Sequence, residues 1–225
     1  VRGIQAHIIE RKAEAQTLLE LIDEVIARPN SVVKAAVLKS SHVLVLYNAI
    51  EATATEILER IHEIISQEKY SDLSPELRKL WTEFFFCKQA EKRRFDNLEA
   101  TVRGDARFPQ LKDFLDHINL YSGNLDARAI NQVLKRYGLG VISTPNQHKL
   151  LEIKNKRNRI AHGEEMFKEA CRHLTAKELK SFQDACFDVI DSLLEQANEY
   201  VSTRKYKATV INGVPQPSGP PDATR

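Results

Sequence analysis

Between a few breaks marked by proline or glycine, apolar residues recur three and four positions apart along nearly the whole chain, and this spacing selects helices over strands. Ile8, Leu18, Leu19, Ile22 and Ile26 set a first helix from about Ile4 to Ala27, broken at Pro29 and Asn30. A second and longest helix follows from about Ser31 to Ser66. Val33, Val37, Leu44, Ile50, Ile57, Ile61 and Ile64 spread so widely around it that it belongs at the centre of a bundle. Val43 to Tyr47 alone would suit a strand, but the pattern on both sides carries helix through it. Ser74 followed by Pro75 predicts a capped helix start, with Leu80, Trp81, Phe84 and Phe85 in that helix. Short helices are expected around Phe95, Leu98, Leu111 and Leu115. Another runs from Leu125 to Tyr137 and stops at Gly138. Thr144 and Pro145 are expected to open the next, with Gly163 closing it. Thr175-Ala-Lys-Glu178 spells a capping box before a last helix whose inner stripe is Leu179, Phe182, Cys186, Ile190, Leu193, Ala197 and Val201. The prediction is an all-α bundle forming one domain over residues 1–205. From residue 206 the density of Pro and Gly (Gly213, Pro215, Pro217, Gly219, Pro220, Pro221) reads as a flexible tail or linker.

The totals exclude more than they assign. A net charge of +2 does not by itself mark a nucleic-acid binder, so attraction to a polyanion has to come from local clustering. No apolar run is long enough for a transmembrane helix, and residues 1–11 do not resemble a secretory signal; a cytoplasmic protein without a membrane partner is the expectation. Cys87, Cys171 and Cys186 are odd in number and lack CxxC spacing, which favours buried free thiols over a disulfide framework or a zinc site. His7, His42, His62, His117, His148 and His173 show no HExxH spacing, and Gly138-Leu-Gly140 is too little for a dinucleotide loop. No cofactor and no metal are therefore expected. Phe84, Phe85 and Phe86 are read as core rather than as a platform for stacking bases.

One stretch carries chemistry: Arg157, Asn158, Arg159, Ile160, Ala161, His162, Gly163. A bare Arg-x4-His is weak, since Arg2 and His7 also fit it. The longer spelling Arg-Asn-x-x-Ala-His-Gly, late in an all-helical chain, resembles the HEPN superfamily (higher eukaryotes and prokaryotes nucleotide-binding domains). Tyr47-Asn-Ala-Ile-Glu51 and Asn124-Leu-Asp-Ala-Arg128 are similar to segments of a prokaryotic subgroup, so the resemblance covers roughly residues 1–205. It implies a metal-independent endoribonuclease, acting in a toxin–antitoxin, phage-defence or stress system, with RNA as substrate and a cognate antitoxin or inhibitor as a further partner. It also implies a homodimer in which two motifs share one cleft. Some members of the superfamily instead serve as non-catalytic RNA- or nucleotide-binding or protein-interaction modules.

The residues themselves suit that chemistry. Metal-free RNA cleavage needs a base for the 2'-hydroxyl, an acid for the leaving 5'-oxygen and a cation at the phosphate. Histidine moves protons near neutral pH, and arginine grips phosphate through a planar fork that keeps its charge. His162 is thus the expected proton-transfer group, Arg157 the phosphate clamp, and Asn158 the residue that orients one of them. Spacing raises a difficulty: five residues turn a helix by about 140°, so Arg157 and His162 do not share a face, whereas Asn158 and His162 do. Either Arg157 reaches around or the helix loosens near Gly163. One histidine also cannot be acid and base at once, which the implied dimer would remedy. Between residues 149 and 159, Lys149, Lys154, Lys156, Arg157 and Arg159 stand against Glu152 alone. Lys154, Lys156 and Arg159 are candidate RNA contacts; the competing reading is a solvated face or a partner for the acidic stripe Asp184, Asp188, Asp191, Glu195 and Glu199 of the last helix. Asn48 and Glu51 are candidate supports for the cleft, with a solvated polar stripe as the alternative.

Overall fold

A computed structural model describes residues 3–87, 94–120 and 124–209. Its helices are α1 (Ile4–Ile26), α2 (Val32–Ile65), α3 (Pro75–Phe85), α4 (Arg94–Arg103), α5 (Leu111–Leu115), α6 (Ala127–Tyr137), α7 (Lys149–Ala161), α8 (Phe167–Ala170) and α9 (Ala176–Ser202), with a short 3-10 turn at Tyr70–Asp72. No strand occurs among the described residues, as the apolar spacing requires.

Helix α2 is the axis of the bundle. Its buried side chains, from Ala49 on one side through Leu46, Ile50 and Tyr47 to His62 on the other, cover more than half of its circumference, and α1, α7, α8 and α9 pack on it. Cross-helix bonds fix the directions. His7 meets Glu56 (3.2 Å) and Arg11, one turn on, reaches back to Thr53 (3.0 Å), so α1 runs antiparallel to α2. His42 Nε2 bonds Gln183 Oε1 (3.0 Å) and the Cys186 thiol meets the Leu46 carbonyl (3.5 Å), so α9 runs parallel to α2. Lys12 pairs with Asp191 at 2.7 Å on the outer side of the α1–α9 seam. Cys171 and Cys186 are buried free thiols, while Cys87 is half-buried. Burial pushes the Cys186 thiol well above the usual range.

Local signals place most boundaries. Ser74 Oγ accepts from Leu77 N with Pro75 opening α3, Gly138 takes a left-handed conformation (φ +77°) after α6, and the Thr175–Glu178 capping box is complete. One start differs from expectation. Thr144 and Pro145 do not open α7; residues 145–148 form turns, with Asn146 at φ +60°, and the helix begins at Lys149. A left-handed residue cannot continue an α-helix, so Asn146 delays the start. In α2, Val33 and Val37 are exposed rather than inside, because no helix among the described residues covers the first turns on that side. Phe95 and Leu98 of α4 are likewise exposed. Phe84 and Phe85 pack with Trp81 and Phe114, whereas Phe86 is exposed at the end of α3. Tyr206 is buried, and Ser74 N and Ala208 N donate to Tyr206 O (2.8 Å) and Asp72 O (2.9 Å), which ties the segment after α9 back to the start of α3. Residues 210–225, most of the expected tail, lie outside the described residues, as does Arg2.

A buried histidine welds α2 to the far side of the bundle. His62 Nδ1 donates to Pro109 O (2.8 Å), and its Nε2 accepts from Tyr137 Oη (2.7 Å); Tyr200 Oη in turn donates to Tyr137 O (2.7 Å). Phe108 and Phe114 enclose the ring edge-on. Burial pushes His62 from 6.5 down to about 4, against a smaller opposite effect of the Pro109 carbonyl. The unfolded chain therefore takes up a proton near pH 6.5 that the folded chain refuses until about pH 4, so stability is full above the upper value and falls as pH drops between the two. The loss across this window is on the order of 3 kcal/mol. Thermal melts from pH 7 to pH 4.5 should show Tm falling steadily, and His62→Gln should flatten that slope whatever it does to Tm at neutral pH.

Candidate active site

The motif occupies the second half of α7. This helix turns an apolar side, Leu150, Ile153 and Ile160, into the core against α2 and α9. Arg157, four residues after Ile153, shares that side and is half-buried against α2; Asn158 is half-buried beside it, and His162 is exposed at the C-cap.

Arg157 lies over the ring of Tyr47, its guanidinium carbon 4.5 Å from the ring centre. Its Nη1 donates to Asn158 Oδ1 (3.0 Å), and Asn158 Nδ2 donates to Asn124 Oδ1. One residue on, Leu125 N donates to Tyr47 Oη (3.2 Å). The contacts close a ring: Tyr47 to Arg157, Arg157 to Asn158, Asn158 to Asn124, and Leu125 back to Tyr47. Three separate parts of the chain, α2, the segment before α6 and α7, thus hold one guanidinium. A cation over an aromatic face gains about 0.5–2 kcal/mol, and a planar fork fixed on one side presents its remaining donors in a set direction.

The helix does not loosen ahead of the histidine. His162 N still bonds Asn158 O at 2.9 Å in helical register, and the chain turns only afterwards, where Gly163 adopts φ +71°, a conformation that disfavours any side chain. Arg157 instead reaches toward the Asn158 side. The His162 imidazole has no hydrogen-bond partner among the described residues and stands open to solvent.

The other candidates separate. Lys154 Nζ pairs with Asp126 Oδ2 at 2.6 Å, with side chains only 17% and 15% exposed. Asp126 also caps α6 by accepting from Ala129 N (2.9 Å). Burial alone would raise the Asp126 carboxyl, but Lys154 and the helix N–H groups outweigh it and hold it below its usual range. Lys156 Nζ reaches Ala170 O (3.3 Å) and His173 Nε2 (3.2 Å), steadying the turn after α8. Arg159 pairs with Glu165 (2.8 Å), and Lys149 bonds Ser181 on α9. Each of these cations therefore has an intramolecular partner, and none of those partners is in the acidic stripe of α9, where Asp184 pairs with Lys180 and Asp191 with Lys12. Asn48 is exposed on α2, away from the ring; Glu51 is half-buried one turn beyond Tyr47. Sequence reasoning noted the segments Tyr47–Glu51 and Asn124–Arg128 but did not single out Tyr47 and Asn124, the two residues in them that touch the motif.

The Lys154–Asp126 pair makes a measurable claim. Lys154→Met leaves a partly buried carboxylate without its cation and should lower unfolding free energy by about 2 kcal/mol. Asp126→Asn, which keeps the helix cap, should cost less. The double variant should be more stable than Lys154→Met alone, measured by urea unfolding.

Among the described residues no group of His, Cys, Asp and Glu side chains is arranged to hold a metal ion, and no helix is long and apolar enough to cross a membrane. No curated protein and no solved structure matches the chain. The family described as HEPN_MAE_28990-like HEPN matches residues 4–206, nearly all of the bundle from α1 to Tyr206. By that match, the chain belongs to the HEPN_MAE_28990-like HEPN family.

Proposed function

We propose that the protein is a metal-independent endoribonuclease of the HEPN type, working as a homodimer with a composite site. The observation that carries this reading is the guanidinium of Arg157 clamped between Tyr47 and Asn158, with an exposed His162 one helical turn beyond Asn158. HEPN proteins at large include RNases, and HEPN domains commonly bind RNA and dimerise, which supports the same reading.

In the reaction, one imidazole takes the proton of the 2'-hydroxyl as its oxygen bonds to phosphorus. The bond from phosphorus to the 5'-oxygen breaks, and a protonated imidazole supplies that oxygen with its proton. The products are a 2',3'-cyclic phosphate and a 5'-hydroxyl. Charge builds on the phosphoryl oxygens between these events, and Arg157 meets it with the N–H donors not committed to Asn158. Asn158 positions Arg157 rather than touching substrate. His162 of one subunit and its counterpart of the other would divide the roles of base and acid. DNA lacks the attacking hydroxyl and should resist. A role in toxin–antitoxin, phage-defence or stress systems, with a cognate inhibitor, belongs to the same proposal.

The intramolecular partners of Lys154, Lys156 and Arg159 leave fewer free cations for an RNA chain; the alternative to turnover is a module that binds RNA or nucleotide without cutting it. Cleavage of labelled single-stranded RNA in excess EDTA separates the two. The parent should cut and leave a cyclic-phosphate end. His162→Ala should slow cutting on the order of a hundred- to ten-thousand-fold, and Arg157→Ala about a hundredfold or more. Equal cutting by folded parent and variants would remove this site from the reaction, and binding without cutting by the parent would favour the module.

A further inference from the structure

Beside the motif, an open groove runs between the start of α6 and the first half of α7, lined by Asp126, Arg128, Asn131, His148, Leu151 and Lys154. Positions 151, 154, 158 and 162 fall three and four apart on α7, so the groove and His162 lie along one face of the same helix. At about 1.5 Å per residue, Lys154 lies about 12 Å and Leu151 about 16 Å from His162 along the axis.

The walls of the groove are fixed. Asn131 Nδ2 donates to Ile142 O (2.9 Å) and its Oδ1 accepts from Ile142 N (2.7 Å), which holds the α6–α7 connection in place. Gln147 Oε1 accepts from Thr144 N (3.4 Å), and Lys154 is pinned to Asp126. Two groups stay uncommitted among the described residues, the Arg128 guanidinium and the His148 imidazole, both exposed. Leu151 adds an apolar side chain that is 47% exposed. A free guanidinium suits a phosphate, and an imidazole beside an apolar side chain suits the flat face of a base. With Asn131 committed to backbone, the groove offers few groups to read base edges.

The geometry points to this groove as a subsite for single-stranded RNA, holding a nucleotide a few positions from the scissile phosphate by stacking and phosphate contact rather than by base identity. The inference rests on the endoribonuclease reading for the direction of the RNA, but its test does not depend on turnover.

The test measures binding of a ladder of labelled oligoribonucleotides, from the dinucleotide upward, to full-length His162→Ala protein by fluorescence anisotropy. Affinity should step up once the oligonucleotide is long enough to reach from the motif to Leu151. Adding Arg128→Ala, or Leu151→Asp, should erase that step and weaken binding of the longer oligonucleotides about tenfold, as expected for one lost base or phosphate contact. Arg60→Ala, on α2 and paired there with Glu63 at 2.7 Å, should leave the step in place. A step that survives in folded Arg128→Ala protein overturns the subsite. Cleavage by the wild type is assayed alongside. Cleavage with no groove-dependent step removes the subsite and keeps the enzyme; a groove-dependent step with no cleavage of any RNA keeps the subsite and removes the enzyme.

Discussion

The stack of Arg157 on Tyr47 is the contact around which the site is arranged, and the bundle exists in a form that makes it possible. Tyr47 is wholly buried within the central helix, so its ring cannot move without disturbing the core. Its hydroxyl holds Leu125 N, which fixes Asn124, which holds Asn158, which holds Arg157. A guanidinium on a flexible stem loses substantial rotamer freedom when it grips a phosphate. Here much of that ordering is already made by folding, and under the proposed function it would lower the cost of gripping a phosphate. The histidine is treated in the opposite way. It sits at a helix end, exposed and unpaired among the described residues, one helical turn from the asparagine that orients the arginine.

The cations that surround the motif do different work from what their density implies. Lys154, Lys156, Arg159 and Lys149 join α7 to the α6 cap, the α8 turn, the loop at Glu165 and α9. They brace the helix that carries the motif, which under the proposed function would matter because small misplacement of reacting groups is costly in rate. A protein with a net charge of only +2 has little long-range pull on a polyanion, so the proposed RNA recognition would rest on a few placed groups.

Much of the fold was legible because helix punctuation is local chemistry. Ser74 with Pro75, Gly138, Gly163 and the Thr175 capping box each act through backbone groups within a few residues, and each stands where the letters put it. The start of α7 was not legible, because Thr144-Pro145 is a good opening and only the left-handed Asn146 reveals that the chain turns first. The motif was legible as a string, but its supports were not. Asn48 and Tyr47 are adjacent in sequence yet about 100° apart around α2, and only packing tells which of them meets Arg157. Asn124 lies 34 residues from Asn158 and is joined to it by the tertiary fold.

The claim on which everything else depends is that Arg157 and His162 belong to one site. A kinetic double-mutant cycle on RNA cleavage tests it most directly, with Arg157→Ala, His162→Ala and the pair compared at equal folded concentration. Residues that act as a unit give losses far from additive, so a shared site predicts a double variant hardly slower than the worse single one. Losses that simply multiply would place the two residues in independent roles and contradict the assignment.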